Sequence, residues 1–561
     1  MRTDEVQFVH FNDVYHVPSA AVLTRFMNLK REFAASNPTA QTLSLFSGDA
    51  FSPSLEAIVL KGEQAVPLLD IVGIDIGCYG NHDFDFGDAR IIELSSQLKI
   101  PWLLSNAYHL PVEDQKRFLG SAQEYIVREL DNGLKIGFIG LAGTDWPSNC
   151  ELAPCEFESP VEAARRLARH LRANERCDLV IALTHMRVPE DMAVANGTVD
   201  GESRIDLLLG GHDHEVLRRF AGDTDLAAQN VEQGRLVTEV EVEGKVPDAE
   251  GDIRLIKSGT DWRALSLIQL VVERDDQGAV VGSTVKLRQY TDIEAAIPAP
   301  QPEPKIVQVV KEIHDRVGNL VQKPLLRSDV PIDGRNSTIR SQETNMGNML
   351  ADVIRAFHDT DIGFFNSGAI RSDQILKATA PESEPLLVRD IINICPFGNS
   401  LLVKRLSGEV VRLALENGVS DMHTDGRFLQ ISGLRVVANW QQPEWSRIVD
   451  VLVERPDGSL EPLDPVRTYT VAMPSFIAQG YDGFDWFRDQ EAIVGEEAAM
   501  TDAGLLLAVF GHGEESEGGS ENSAHAQGIE RARAVAVVDH SPVDSLPIVR
   551  PEVEDRIRFV K

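Results

Sequence analysis

Six residues able to hold metal ions stand where apolar runs of this chain stop. Asp13 closes "FVHFND" (8 to 13), Asp49 lies in "FSGDAF" (46 to 51), Asn81 in "YGNHDFDFG" (79 to 87), His185 in "ALTHM" (182 to 186), and His212 and His214 in "LGGHDHE" (209 to 215). Singly, an Asp beside Gly is ordinary turn chemistry, and a His after a strand is more often a hydrogen-bonded loop residue than a ligand. Their joint occurrence carries the weight. Carboxylates, imidazoles and an amide oxygen form a donor set for a pair of divalent cations, suiting zinc, manganese or iron better than magnesium. A bridging carboxylate would neutralise the repulsion between two such ions, and Asp49 is the candidate because Gly48 lets backbone and metals approach closely. In an extended "HDH", His212 and His214 share one side. Two cations held this way would deprotonate a water and stabilise the charge that develops on a phosphoryl group during in-line attack. His82, beside Asn81, could donate to the leaving or a non-bridging oxygen, and Asp85, three residues on, could orient that imidazole and keep it protonated.

Strands must carry these residues. The runs "VQFVHF" (6 to 11), "TLSLFS" (42 to 47), "DIGCYG" (75 to 80), "DLVIALT" (178 to 184) and "RIDLLLGG" (204 to 211) alternate with helical and polar stretches, and each ends directly in polar residues. Continuous apolar strands belong to sheets covered on both faces, where ligands collect at the carboxyl ends. At 561 residues the chain is too long for one ordinary core. Residues 1 to 293 read as a catalytic domain, and the proline-rich "EAAIPAPQPEPK" (294 to 305), with the helical pattern Ile306, Val309, Val310, Ile313, as a linker reaching residue 320. Residues 321 to 500 read as a second α/β domain with an amphipathic helix in "NMGNMLADVIRAF", where Met346, Leu350, Val353, Ile354 and Phe357 share a face. Residues 501 to 561 read as an extension, disordered around "GHGEESEGGSENSAHAQG" (511 to 528) and open as to strand or helix beyond it.

Composition excludes several classes. A hydrophobic fraction of 43% with 25% charged residues is that of a globular protein, and no apolar run approaches the span of a bilayer. The start, "MRTDEVQFVHF", has no leader-like segment, so the expected location is the cytoplasm. Five cysteines without paired spacing suggest buried thiols rather than disulfides or a zinc knuckle. A formal net charge of −33 argues against a nucleic acid polymer, while a small phosphate ester could bind where arginines and cations reverse the field locally.

The second half supplies suitable groups. "TIRSQETNMGN" offers Arg340, "FFNSGAIRS" Asn366 and Arg371, "CPFGNS" Phe397, and "SFIAQGYDGF" Phe476 and Asp482. Guanidinium forks suit phosphate or sugar hydroxyls, two aromatic rings can sandwich a planar base, and a carboxylate can accept from ribose. Any one of these would by default be a core phenylalanine or a surface ion-pair former. Together with the metal motifs, over residues 6 to 490, they resemble the 5'-nucleotidase family: a calcineurin-like metallophosphoesterase domain followed by a 5'-nucleotidase carboxy-terminal domain. The resemblance implies a four-layer α/β/β/α sandwich with the metals at one edge, then the α/β substrate-binding domain. It assigns Asp13, Asp49 and His214 to a first metal, and Asp49, Asn81, His185 and His212 to a second. It makes His82 and Asp85 the catalytic dyad, stacks a base between Phe397 and Phe476, places Asp482 on the ribose, and implies a domain motion that delivers the substrate.

Three features depart from the family pattern: D-x-H becomes Asp13-Val14-Tyr15-His16, "GGDG" becomes "GYDG" with Tyr481, and the secretion signal of many members is not seen. Three readings of the first departure stand. Tyr15 shares a face with Asp13 and could approach the metal, which for a phenol titrating near pH 10 needs a strongly acidic ion such as ferric iron. A kink could turn His16 inward instead. Or Tyr15 only hydrogen-bonds a metal-held water. The expected activity is hydrolysis of phosphate monoesters, nucleoside 5'-monophosphates first, with two divalent ions such as zinc or manganese, or an iron-containing pair. The alternatives are a phosphatase or diesterase for sugar phosphates, nucleotide sugars or cyclic nucleotides, and a nucleotide-binding protein with impaired catalysis.

Overall fold

A computed structural model describes residues 2–110, 117–146, 155–220, 222–223, 235–244, 252–379, 383–420, 426–455, 457–496, 499–511 and 524–560. The chain divides into two compact units, Met1–Val317 and the residues from Gly318 onward.

The first unit has a seven-stranded sheet in the spatial order Val237–Gly244, Val280–Tyr290, Leu265–Arg274, β1 (Arg2–Phe11), β2 (Gln41–Ser47), β3 (Ile76–Cys78), Trp102–Leu103. A six-stranded sheet faces it and contains β4 (Leu179–His185) beside β5 (Leu207–Gly210). One apolar layer binds the two: Val6, Phe8, Leu43, Leu45 and Ile76 from the first sheet pack with Phe138, Ile181, Leu183, Leu207 and Ile256 from the second. The outer faces are covered too. Phe11 points the other way and meets Phe26 of helix α1 (Ala20–Ser36) edge-on at 5.0 Å. Ala164, Leu167 and Met192 of the helices Pro160–Ala173 and Val188–Gly197 pack on Val180, Ala182 and Leu208 of the second sheet. Helices, two sheets and helices form the four-layer α/β/β/α sandwich that doubly covered strands require.

Register places the chemistry. β1 and β2 run parallel with Phe11 opposite Phe46, and β2 and β3 with Ser47 opposite Cys78. β4 and β5 are parallel with Thr184 opposite Gly210. Asp13, Asp49 and Asn81 therefore leave adjacent strands at one edge, as do His185 and the "HDH" segment.

Within this unit, the proline-bearing stretch lies along α1. The Arg25 guanidinium donates to the Ile297 carbonyl (3.0 Å), the Glu303 N–H donates to Thr24 Oγ1 (3.2 Å), and Arg31 pairs with Glu303. Ile306, Val310 and Ile313 of the following helix, Pro304–Leu320, are buried.

The second unit is built on a five-stranded sheet in the order Leu429–Ser432, Ile362–Asn366, Thr468–Pro474, Leu401–Ser407, Ala492–Val494. Helix α2 (Asn345–His358) buries Met346, Leu350, Val353, Ile354 and Phe357, the face its sequence period marks. The far end of the chain, open in sequence between strand and helix, forms both. Helix α3 (Ala524–Ala536) packs on α2, with Arg531 donating to the Ala356 and Phe357 carbonyls at 3.0 and 2.8 Å. Pro547–Val549 pairs in parallel with Pro324–Ser328, and Ile557–Phe559 with Leu434–Ala438. Among the described residues no helix is long and apolar enough to cross a membrane.

Candidate metal centre

The loops after β1, β2 and β3 are short and tightly tied. Asp13 N–H donates to the Gly48 carbonyl (2.9 Å) and Val14 N–H to the Asp49 carbonyl (2.8 Å), which locks the first two loops together. Asp13, Asp49, His212 and His214 all have left-handed backbone, φ between +54° and +81°. Such conformations cost free energy in non-glycine residues and persist where surroundings over-determine them, often at functional sites. Glycines make room beside them: a methyl added at Gly80 would overlap the Asp49 carboxylate, and one at Gly211 would meet Asp13 and His185.

The side chains converge. His185 Nε2 lies 3.1 Å from Asp49 Oδ2, 3.1 Å from Asn81 Oδ1 and 4.0 Å from Asp13 Oδ1. Its Nδ1 contacts the Ser47 carbonyl at 2.7 Å, an arrangement that makes Nδ1 the N–H donor and leaves the Nε2 lone pair for the centre. His212 Nδ1 stands 3.0 Å from Asn81 Oδ1, and His214 Nε2 stands 3.5 Å from Asp13 Oδ1. Asp13, Asp49, Asn81, His185 and His212 are completely buried, His214 partly exposed. The structure thus brings all six candidate ligands to one place.

The donor set fits metal ions. Asp13, Asp49 and His185 present ligand atoms within 4.8 Å of one another, enough to hold one ion. Two carboxylates without access to water call for positive charge. In the chain alone that demand falls on His185: burial works against protonation, but the charges of Asp49 and Asp13 carry its pKa up to about 10. Burial likewise pushes the Asp13 carboxyl upward, yet His185 and His214 hold it well below the usual carboxylate range.

His82 and Asp85 also meet. His82 N–H donates to Asp49 Oδ1 (2.9 Å), and its Nδ1 contacts Asp85 Oδ2 at 2.9 Å. The two neighbours of Asp13 part company. Tyr15 turns into the centre: its hydroxyl lies 2.8 Å from Asp13 Oδ1, 3.2 Å from Asp49 Oδ2 and 2.7 Å from His214 Nε2. His16 points away and contacts Asp261 at 2.7 Å, so no kink turns it inward.

Several supporting residues have no role in the sequence reading. Asp83 accepts from the N–H groups of Asp49, Ala50, Phe51 and Gly80 and so fixes both glycine loops. Asp145 Oδ2 lies 3.2 Å from His212 Nε2 and accepts from Arg187 Nε at 2.8 Å, orienting that imidazole. The apolar run "IGFIGLA" that ends in "GTD" marks Asp145 as another strand-end acid. Buried Lys257 pairs with Asp191 and Asp213 and donates to the Met186 and Gly211 carbonyls, both at 2.7 Å. It anchors the segments bearing His185 and both histidines of "HDH", and a lone lysine within "IRLIKS" gives no sign of that.

In the second unit, Phe397 precedes the strand Leu401–Ser407 and Phe476 follows its antiparallel neighbour Thr468–Pro474, where Ser475 N–H donates to the Ser400 carbonyl (2.7 Å). The Arg371 guanidinium stands over the Phe397 ring at 4.9 Å, and Tyr481 stacks on Phe476 at 5.0 Å and 19°. The three rings are well exposed. Asn366 is buried at the end of its strand, Arg340 follows the short helix Asn336–Ile339, and Asp482 has φ +54° with its carbonyl accepting from Asn417 Nδ2 (3.0 Å). Stacking of a ring on Phe476 is thus supplied by the chain's own Tyr481.

Comparison with known proteins gives a consistent picture. Residues 324–489 match the family model for the 5'-nucleotidase C-terminal domain. The trifunctional nucleotide phosphoesterase protein of Bacillus subtilis is 24% identical over 538 residues, covering 89% of this chain and 33% of its own length. The 5'-nucleotidase of Mus musculus is 25% identical over 506 residues, covering 84% and 79%. The NAD nucleotidase structure of Haemophilus influenzae superimposes with a TM-score of 0.69 at 17% identity, over 100% of this chain and 99% of that one, a likeness of fold. The chain thus spans about a third of the Bacillus protein and about four fifths of the mouse enzyme.

Proposed function

We propose that this chain, whose residues 324–489 match the 5'-nucleotidase C-terminal domain, is a dinuclear-metal phosphoesterase of the 5'-nucleotidase family that releases phosphate from nucleoside 5'-monophosphates. The observation that carries this reading is the convergence of Asp13, Asp49, Asn81, His185, His212 and His214 at one sheet edge, with Asp49 central to both halves of the set.

Asp13, Asp49 and His214 would hold one cation, and Asp49, Asn81, His185 and His212 the other. Bound there, the ions supply Lewis acidity toward the phosphoryl oxygens and lower the pKa of water. The chain's own residues do the rest. Ser47, through its carbonyl, and Asp145 fix the rings of His185 and His212, so little reorganisation accompanies binding. His82, its Nδ1 side engaged by Asp85, protonates the leaving ribose oxygen from Nε2. In the second unit, Phe397 and Phe476 grip the base, Asp482 the ribose hydroxyls, and Arg340, Asn366 and Arg371 polar parts of the substrate.

The test is a panel of nucleoside monophosphates, sugar phosphates, nucleotide sugars and cyclic nucleotides, run with metal content measured on the same sample. The expected result is fastest phosphate release from a nucleoside 5'-monophosphate, with two ions per chain. Absence of any release under saturating manganese or cobalt overturns the enzyme reading, and preference for a base-free phosphate overturns the nucleotide reading.

A further inference from the structure

We infer that Tyr15 is itself a ligand of the first cation, through its phenolic oxygen, and that it makes this position select a hard trivalent ion such as ferric iron over zinc. The inference rests on the dinuclear reading above and adds to it the identity of one ligand and the class of ion it takes.

The spacing of four atoms carries the argument. Tyr15 Oη lies 2.8 Å from Asp13 Oδ1, 2.7 Å from His214 Nε2 and 3.2 Å from Asp49 Oδ2, while His214 Nε2 lies 3.5 Å from Asp13 Oδ1. Ligand atoms about 2.1 Å from one metal stand roughly 3 to 3.5 Å from one another, so the phenol oxygen sits among the others as a fellow ligand does. Hydrogen bonding alone satisfies this group less well. A phenol has one proton, and that proton can serve one carboxylate. The second carboxylate oxygen, which His185 Nε2 also approaches at 3.1 Å, then faces the phenol oxygen in a site where Asp13 and Asp49 are both fully buried. A cation among the four atoms satisfies them together.

The backbone holds Tyr15 in this pose. Asp261 Oδ1 accepts from the N–H groups of both Tyr15 and His16 at 3.1 Å, and its Oδ2 contacts His16 Nδ1 at 2.7 Å. One carboxylate therefore turns His16 outward and Tyr15 inward. The Tyr15 ring is itself 93% buried, edge-on to His214 at 5.3 Å and to His82 at 6.1 Å.

Ion selectivity follows from the oxygen. Asp13, Asp49 and Tyr15 would surround the first cation with three oxygens and one imidazole nitrogen, while the second has one carboxylate, one amide oxygen and two imidazoles. A phenol gives up its proton to water when a strongly acidic cation binds, and the resulting phenolate is a hard anionic donor. The first position then carries three anionic oxygens, charge that a trivalent ion balances better than a divalent one.

The experiment loads wild type, Tyr15→Phe, Tyr15→His and His16→Ala with iron plus zinc or with zinc alone, then reads metal content, visible absorption and X-ray absorption. Iron-loaded wild type is expected to show a broad phenolate-to-ferric band in the visible, with His16→Ala matching it. Tyr15→Phe is expected to lose the band and about one iron per chain while keeping the second ion. Tyr15→His should keep two ions, lose the band and favour zinc at both positions. A Tyr15→Phe variant with unchanged iron content and spectrum overturns the inference and leaves the dinuclear reading standing. A folded wild type that binds no metal under either loading overturns both.

Discussion

Where the first unit buries Asp13, Asp49, Asn81, His185 and His212 completely and bends several of them into left-handed backbone, the second displays Phe397, Phe476 and Tyr481 largely to solvent. The metal centre is over-determined. The candidate histidines are held by further groups: His185 by the Ser47 carbonyl, His212 by Asp145, and the "HDH" segment by Lys257. Of these exposed rings, Phe476 stacks on Tyr481 and Phe397 lies under the Arg371 guanidinium. The difference teaches that precision is concentrated where buried charges must be placed to fractions of an ångström, while exposed aromatic surface is less tightly fixed.

The contrast is sharpest if the bridging carboxylate fails. Asp49→Asn should lower kcat/KM by at least ~10³-fold for every phosphate ester and cost both ions, measured by steady-state kinetics with elemental analysis. Gly80→Ala, which forces a methyl against Asp49, should lose on the order of 10²-fold in kcat while thermal unfolding stays cooperative. An effect confined to KM in either variant would break the distinction between the two regions. Phe476→Ala should raise KM about 10-fold for a nucleotide and leave a phosphate ester without an aromatic ring unaffected, a range set by aromatic stacking. A smaller effect is expected in metal-stripped protein. The His185 pKa is raised from 6.5 to about 10, so the stability it contributes is complete below pH 6.5 and is lost as pH rises through 10. Melting temperature of chelated protein should therefore fall across that window, and reloaded protein should resist the fall. Smallest of all, Tyr481→Gly should change relative kcat/KM among bases by a few-fold, ~1 kcal/mol or less. A uniform loss over all bases would show Tyr481 acting on structure instead.

Much of the first unit is legible in sequence because its strands are apolar on both faces and stop abruptly at polar residues. Such run ends bring Asp13, Asp49, Asn81 and His185 to the edge that register later confirms. What sequence could not settle was direction. Strand alternation puts Tyr15 on the face of Asp13, but only Asp261, some 246 positions away, decides that His16 turns out. Lys257 and Asp83 were equally hidden, since their partners are backbone groups of other loops and leave no trace in residue spacing. The second unit was harder still. Its helix α2 follows from period alone, whereas the pairing of Tyr481 with Phe476 and of Arg371 with Phe397 depends on rotamers in short turns. Residues 511 to 528, expected to be disordered, lie for the most part outside the described residues. Contrary to that expectation, residues 524 to 528 open helix α3, where Gly528 lets it approach Phe357 closely, and the residues beyond add strands to the second unit.

The pairing of Pro324–Ser328 with Pro547–Val549 also sets an order of assembly during synthesis. Every strand of the first unit's two sheets has been made once Tyr290 emerges, so that unit can collapse on the ribosome while the second is still being translated. The opening strand of the second unit finds one partner in Leu386–Leu387, but its other edge must wait for Pro547–Val549. A translational pause or cleavage between Pro324–Ser328 and Pro547–Val549 would leave a completed first unit attached to an unfinished second unit. Such a fragment should bind metal ions in vitro, and that would allow the two halves to be studied apart.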